Sequence, residues 1–122
     1  MENEVIKFET TAATSTDDPL GFIIRDMAQN EHLRESARLA ELVQKQMGSI
    51  HPGPNRGVKQ AGFRVLVTAF MPAVLVEIGF GTNRAESAYM SDAESQRALA
   101  EKLADAVEAF LAQYERKVGG GN

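Results

Sequence analysis

The chain has 122 residues, 43% of them hydrophobic, which suits one domain of ordinary size with an apolar core. Its formal net charge of −4 lacks the basic excess of a nucleic-acid-binding surface, and the absence of cysteine excludes disulfides, a thiol nucleophile and cysteine-ligated zinc. No stretch approaches the ~20 apolar residues of a membrane span, and the acidic N-terminus lacks the apolar run of a signal peptide.

The first half of the chain is predicted to be mostly helical. A short strand is expected around Val5–Phe8, and a polar loop follows. Asp17 or Asp18 is a natural helix N-cap, with Pro19 in the first turn. Apolar residues then recur at helical spacing in two stripes. The stripes are Leu20, Ile23, Ile24 and Met27, and then Leu33, Ala37, Ala40, Val43 and Met47.

Between the two stripes, the polar residues 29–32 predict either a kink or the junction of two helices, and Gly48 fits the helix end. Residues 51–57 are a loop by composition. From 58 to 68 the apolar residues alternate, which predicts a strand. A second, more apolar strand is predicted over Ala73–Glu77.

Two further helices are predicted after these strands. Asn83 is expected to cap a short helix, with Glu86 three residues on, and Ser91 is expected to cap a last helix, with Glu94 three residues on. The buried stripe of the last helix is predicted to be Leu99, Leu103, Ala106 and Phe110. We expect residues 1–118 to belong to one domain and residues 119–122 to be a flexible glycine-rich tail.

Helices beside apolar strands predict an α/β fold, with a mostly parallel twisted sheet flanked by helices. Only two strands are strong, however, and a two-stranded sheet is a poor core for this much helix. A sheet partner is therefore expected to be missing from this chain.

Glu77 is the most informative residue, since five of the six residues from Ala73 to Ile78 are apolar and it is the sixth. A buried, unpaired carboxylate costs several kcal/mol, so it stays protonated or finds a partner. One hypothesis is a core carboxylate paired with Arg56, Arg64 or Lys59. The other is a carboxylate at a strand end, where chemistry uses it.

Three stretches together identify a family. Residues 55–66 carry Arg-Gly-Val-Lys-Gln and an apolar run, residues 71–80 read Met-Pro-Ala-Val-Leu-Val-Glu-Ile-Gly-Phe, and residues 81–86 form an Asn-containing turn before the closing helix. These stretches resemble the zinc-dependent N-acetylmuramoyl-L-alanine amidases, known as amidase type 3. Residues 2–6, 24–30 and 35–40 are similar to the same family, so the resemblance covers almost the whole chain in order.

The resemblance also implies what this sequence lacks. Family members hold zinc with a histidine in a Gly-His-Gly-Gly turn, a glutamate soon after it, and a histidine in a Ser-(Ile/Leu)-His-Ala stretch, all upstream of the matching region. This sequence contains no Gly-His-Gly. The chain is therefore expected to be the C-terminal portion of a catalytic domain without its N-terminal metal-binding half. Zinc would be the cofactor of the complete domain, with none expected for this chain alone.

By the same resemblance, Glu77 matches the family's catalytic glutamate, which serves as general base and then as general acid. Arg56, Lys59 and Gln60 are candidate substrate contacts, and an equally weighted alternative is a strand entry with solvated charges. His51 lies in Ser49-Ile50-His51, which mimics a zinc motif, but its position after the long helix favours a loop histidine.

His32 is expected to be a solvated helical histidine, because two histidines and scattered carboxylates do not make a convincing zinc site. Asn83 is expected to be a helix cap rather than a substrate contact.

The resemblance implies a bacterial peptidoglycan hydrolase that cleaves the amide between muramoyl lactate and L-alanine of the stem peptide. This chain is expected to be inactive alone, with peptidoglycan or muropeptides as partners and any activator protein unknown. The family substrate implies a periplasmic, cell-wall-associated or extracellular location. The alternative is a non-catalytic peptidoglycan-binding or regulatory module derived from that family.

Overall fold

The computed structural model describes residues 18–119, and within them the regular structure is helical. Four helices follow one another: α1 is Pro19–Gly48, α2 is Arg64–Val67, α3 is Arg84–Ser91 and α4 is Ala93–Val118. The strand predicted at Val5–Phe8 and the tail residues 120–122 lie outside the described residues.

Helix α1 begins where the sequence predicts. Asp18 has an extended backbone at the N-cap, and Pro19 occupies the first helical position, although the Asp18 side chain makes no capping hydrogen bond. The helix continues without interruption through residues 29–32, so this stretch is not a junction of two helices. It ends at Gly48, and the following Ser49 donates its N–H to the Met47 carbonyl.

The predicted sheet is wrong for the part of the chain that the structure describes, since residues 18–119 contain no strand. Within residues 58–68, the stretch Arg64–Val67 forms the single turn of α2, which opens with the Val67 N–H donating to the Phe63 carbonyl at 3.0 Å. Residues 73–80 contain no helix and pair with no strand. Alternation and apolarity describe side chains, whereas a strand also needs a neighbouring backbone to receive its hydrogen bonds. No such neighbour lies beside either segment within residues 18–119.

The core lies between the C-terminal half of α1 and helix α4. Helix α4 packs on both α1 and α3. Its predicted stripe is confirmed, because Leu99, Ala106 and Phe110 are buried and Leu103 packs against the same cluster. Helix α1 contributes the buried residues Val43 and Met47.

The two predicted stripes of α1 have different fates. Val43 and Met47 of the second stripe lie in the core, but the first stripe is solvent-exposed, with Leu20 at 65% and Met27 at 66%. The reason is the register of the two helices. The last turn of α4 reaches α1 at Glu31, where Lys117 contacts it, and the dozen residues of α1 before that point extend beyond α4.

Each of the last two helices has a side-chain cap. Asn83 accepts the Glu86 N–H at 3.1 Å, as predicted. The cap of α4 is Asp92 rather than the predicted Ser91, because Asp92 accepts the Ser95 N–H at 3.0 Å while Ser91 is still helical. The Ser95 hydroxyl also donates to Asp92, and these hydrogen bonds lower the pKa of that carboxyl below its ordinary 3.8. None of the helices in residues 18–119 is both long and apolar enough to cross a lipid bilayer.

A charged cluster joins the end of α4 to the middle of α1. Lys117 donates to the carboxylates of both Glu31 and Glu35. Glu35 is only 2% exposed, and within residues 18–119 the second oxygen of its carboxylate has no hydrogen-bond partner. The hydrogen bond from Lys117 holds the pKa of Glu31 below its ordinary 4.5. In turn, the hydrogen bonds to the two carboxylates raise the pKa of Lys117 above its ordinary 10.5, and the bond to Glu31 has the larger effect.

We predict that Lys117→Met lowers the melting temperature by several degrees near neutral pH, because it leaves the buried Glu35 without its cation. The lowered pKa of Glu31 adds a pH dependence: its contribution is complete above 4.5 and is lost as pH falls through the folded-state pKa. The contribution of Lys117 is complete below 10.5 and is lost as pH rises through its raised pKa.

Thermal melts of the wild type and the variant, recorded from about pH 7 down to about pH 3, test this prediction. The difference between the two proteins should shrink as the pH falls. Arg116→Met is the matched control, since it removes a cation from the same helix turn. Equal melting temperatures for the two variants at every pH would rule out a specific role for Lys117.

Candidate functional site

Three parts of the chain meet at the candidate site. These are the loop 51–56, the segment 77–80, which carries Glu77, and the first turns of α3. The preceding residue, Val76, packs against the core. The next residue, Glu77, is exposed and does not share this packing.

Glu86 is the buried charge at the centre of this site, at 5% exposure. One of its carboxylate oxygens accepts the Phe80 N–H at 2.8 Å. The other lies 3.8 Å from Nη2 of Arg56, whose guanidinium also sits over the Phe80 ring, 4.4 Å from its centroid. Glu86 thus has the cation and the hydrogen-bond donor that a buried carboxylate needs, and it lies in the first turn of α3, where the helix dipole favours a negative charge.

His51 holds the same segment from the other side. Its Nδ1 accepts the Gly53 N–H at 3.0 Å, so Nε2 carries the proton and donates to the Ile78 carbonyl at 2.6 Å. The imidazole ring also meets the Tyr89 ring edge-to-face, with centroids 5.1 Å apart. These contacts agree with the prediction that His51 is a loop histidine. Through them, His51 joins the loop 51–56 to the segment 77–80.

Gly79 brings the segment into close contact with α3. Its φ is +154°, a backbone conformation that side chains rarely adopt. A Cβ built on Gly79 would lie 3.2 Å from the Met90 sulfur and 3.4 Å from the Glu86 Cβ. Gly53 is similarly crowded, since its Cβ would lie within 2.9 Å of both a His51 ring carbon and a Glu86 oxygen. Both positions therefore favour glycine.

The predicted catalytic residue is accessible in this arrangement. Glu77 makes no hydrogen bond or ion pair with any of residues 18–119, so the predicted pairings with Arg56, Arg64 and Lys59 are not seen there. Arg56 pairs with Glu86 instead.

The predicted substrate contacts lie in two places. Arg56 keeps 53% of its side chain exposed while it pairs with Glu86 beside the segment 77–80. Lys59 and Gln60 are exposed, and they line a cavity of about 450 Å³ between α1 and residues 58–75. The Ser36 hydroxyl of α1 accepts the Ala73 N–H at 2.8 Å and thereby fixes one side of this cavity.

The two histidines do not form a metal site. Both ring nitrogens of His51 are engaged with backbone groups, while His32 lies on α1 against the Phe70 ring, with centroids 5.0 Å apart. Within residues 18–119, no three imidazole or carboxylate side chains come close enough together to hold a metal ion. The described residues therefore do not fit the zinc that the family resemblance implies.

Sequence reasoning missed the role of Glu86. It recognised the spacing from Asn83 to Glu86 as a capping pattern and made no prediction that Glu86 is buried. The reciprocal contact of a capping box would join Glu86 to the Asn83 N–H, but here the carboxylate reaches Phe80. The sequence signal that could have indicated this pairing is Arg56, a basic residue that needs an acidic partner near the apolar segment.

We predict that Gly79→Ala disorders the segment 77–80 and destabilises the protein by about 1–3 kcal/mol, because the methyl group meets Met90 and the backbone is strained. Gly81→Ala is the matched control two residues away, where a Cβ would meet nothing within 4 Å. Chemical denaturation of both variants checks the prediction. A Gly79→Ala protein as stable as Gly81→Ala would show that the close contact with α3 is absent in solution.

Comparison with known proteins agrees with the resemblance read from the sequence. The profile of the N-acetylmuramoyl-L-alanine amidase family matches residues 5–109. The N-acetylmuramoyl-L-alanine amidase AmiA of Escherichia coli (strain K12) is 27% identical over 116 residues, which cover 95% of this chain and 40% of the relative. The N-acetylmuramoyl-L-alanine amidase AmiC of Neisseria meningitidis (strain MC58) is 33% identical over 86 residues, covering 70% and 21% of the two chains.

The uncharacterized protein YqiI of Bacillus subtilis (strain 168) is 33% identical over 78 residues, covering 64% of this chain and 38% of that one. No solved structure matches. The chain thus spans less than half the length of these relatives, which is consistent with the predicted partial domain. Because the family profile covers most of the sequence, this chain belongs to the N-acetylmuramoyl-L-alanine amidase family.

Proposed function

We propose that this chain supplies the general base for hydrolysis of the amide between muramoyl lactate and L-alanine in peptidoglycan, and that Glu77 is that base. The observation that carries the proposal is the contrast at the site. Glu77 is exposed and free of partners within residues 18–119, while the backbone that follows it is held at Ile78 and Phe80. A free carboxylate on a fixed backbone is what proton transfer to a bound substrate requires.

In the proposed step, Glu77 accepts a proton from a water molecule while the water oxygen bonds to the amide carbon. The carboxylic acid so formed then gives the proton to the amide nitrogen as the carbon–nitrogen bond breaks. The products are the lactyl carboxylic acid and the free amine of L-alanine. Exposure of Glu77 suits a polymeric substrate, because the scissile bond must reach the carboxylate without entering a deep pocket.

We keep Arg56, Lys59 and Gln60 as proposed substrate contacts. Exposed cationic and amide donors suit the carbonyl and carboxylate groups of a stem peptide. The guanidinium of Arg56 is already paired with Glu86, so its remaining donors are the ones available to a substrate.

Zinc dependence is part of the proposal only for a complete enzyme. The chain has no cysteine and two histidines, and the described residues do not fit a zinc site. We infer that this chain does not complete the reaction alone. A periplasmic, cell-wall-associated or extracellular location is inferred only from the kind of substrate proposed.

The first experiment is the zinc content of the purified chain after dialysis against a weak chelator. We expect no bound zinc, because His51 has both ring nitrogens engaged and His32 lies apart from it on α1. One tightly held zinc per chain would contradict this. A site that includes His51 or His32, with Glu77 as a ligand rather than a base, would then replace the proposal.

The role of Glu77 is tested in a complete enzyme that contains this sequence and releases L-alanine-terminated peptides from peptidoglycan. Glu77→Gln is expected to lower turnover by about 10²–10⁴-fold with little loss of zinc, because the amide cannot accept the proton. Glu94→Gln is the matched control, since it neutralises an exposed carboxylate in the first turn of α4. Turnover that survives Glu77→Gln would refute the catalytic assignment.

A further inference from the structure

The proposed step does not use Glu86, yet this residue is the buried carboxylate nearest the site. Burying a carboxylate is costly unless it is paired and hydrogen-bonded. Glu86 meets that requirement through Arg56 from the loop 51–56 and the Phe80 N–H from the segment 77–80. The Glu86 carboxylate therefore joins the loop 51–56 and the segment 77–80 to helix α3.

The backbone after Glu77 is fixed at two points. One is the Phe80 N–H, three residues after Glu77, and the other is nearer. His51 donates to the carbonyl of Ile78, the residue directly after Glu77. Gly79, between these two points, packs on the Glu86 Cβ and the Met90 sulfur. The backbone on the C-terminal side of Glu77 is therefore fixed to α3 and to the loop 51–56.

Glu86 is not needed to cap its own helix. Asn83 already accepts the Glu86 N–H and caps α3, and α3 packs against α4. The carboxylate of Glu86 is thus available for contacts outside the helix, and both of its oxygens are used there. This separates its action on the segment 77–80 from the formation of α3.

We propose that Glu86 is a positioning residue for Glu77: its carboxylate, held by Arg56, fixes the backbone at Phe80 and so sets the direction of the Glu77 side chain. The proposal rests on the proposed role of Glu77 as general base. Glu86 itself does not touch the substrate or transfer a proton. Arg56 acts in the same way through its ion pair, whether or not it also meets the substrate.

We test the proposal by nuclear magnetic resonance on the isotope-labelled full chain, comparing the wild type with three variants. Glu86→Ala removes both contacts of the carboxylate. Glu86→Gln keeps an oxygen that accepts the Phe80 N–H but loses the charge that pairs with Arg56. Glu94→Ala is the control for loss of an exposed glutamate near the start of a helix.

Two readouts separate positioning from general stability. The first is hydrogen exchange of the Phe80 amide, which is expected to speed up by about tenfold or more in Glu86→Ala and to stay near wild type in Glu86→Gln. The second is the Cα chemical shift of Glu77, which reports its backbone conformation. This signal should move to the position of an unstructured glutamate in Glu86→Ala and be restored in Glu86→Gln. Signals of Leu99 and Ala106 should stay unchanged.

An unchanged Phe80 exchange rate and Glu77 signal in Glu86→Ala would overturn the proposal. If Glu86→Ala does not fold, Glu86→Gln and Arg56→Met decide. Arg56→Met leaves the buried Glu86 carboxylate charged but without its cation, so it should raise Phe80 exchange and shift the Glu77 signal, whereas Glu86→Gln leaves no buried charge. A wild-type response in Arg56→Met would overturn the role of the ion pair, and a disordered segment 77–80 in Glu86→Gln would overturn the role of the hydrogen bond to Phe80. These readouts do not depend on turnover. Survival of activity in Glu77→Gln would refute the proposed function while leaving the response to Glu86 variants as measured.

Discussion

The packing of helix α4 along the C-terminal half of α1 is the interaction on which the rest of the structure depends. Buried apolar side chains are few in residues 18–119, and nearly all of them lie in this contact, from Val43 and Met47 on one helix to Leu99 and Ala106 on the other. Helix α3 is held by its packing on α4, and the segment 77–80 is held in turn by α3. The position of Glu77 is therefore set through two successive layers of contact from one helix pair.

The site shows how a fixed backbone can be obtained without a sheet. Three side-chain interactions replace a ladder of backbone hydrogen bonds around Glu77. Glu86 accepts at Phe80, His51 donates at Ile78, and Arg56 covers the Phe80 ring while neutralising Glu86. Each interaction involves a charged or polar side chain, so each is more specific to its residue type than a backbone hydrogen bond would be. The same feature makes the site depend on a small number of side chains.

The sequence predicted the helices well because their signals are local. Pro19 after Asp18, the Asn83 cap and the α4 stripe through Leu99 and Phe110 each depend on residues within a few turns of one another. The N-cap of α4 is Asp92, one residue after the predicted Ser91. Both residue types are good caps, so the sequence alone does not decide between them. The sheet prediction failed because a strand needs a partner that local pattern cannot supply.

The candidate site was predicted in part. The family motif identified the segment around Glu77, but the sequence did not predict that Val76 packs on the core while Glu77 is exposed. One of the two hypotheses for Glu77 was a buried carboxylate with a cationic partner, and in the structure Glu86 has that arrangement instead. Burial of Glu86 depends on the approach of loop 51–56 and of Gly79, contacts between parts of the chain that no spacing within α3 reveals.

The long separation between the two halves of the core has a consequence for how this chain folds. Glu31 and Lys117, which meet in the folded protein, are 86 positions apart along the sequence. Contacts of such high sequence separation form late and slowly, because a long stretch of backbone must be ordered before they are made. During synthesis, α1 has no α4 to pack on until residues 93–118 have left the ribosome. The α1 residues that α4 later buries, Val43 and Met47, are thus exposed throughout that interval, which makes this protein a candidate for chaperone protection during its production.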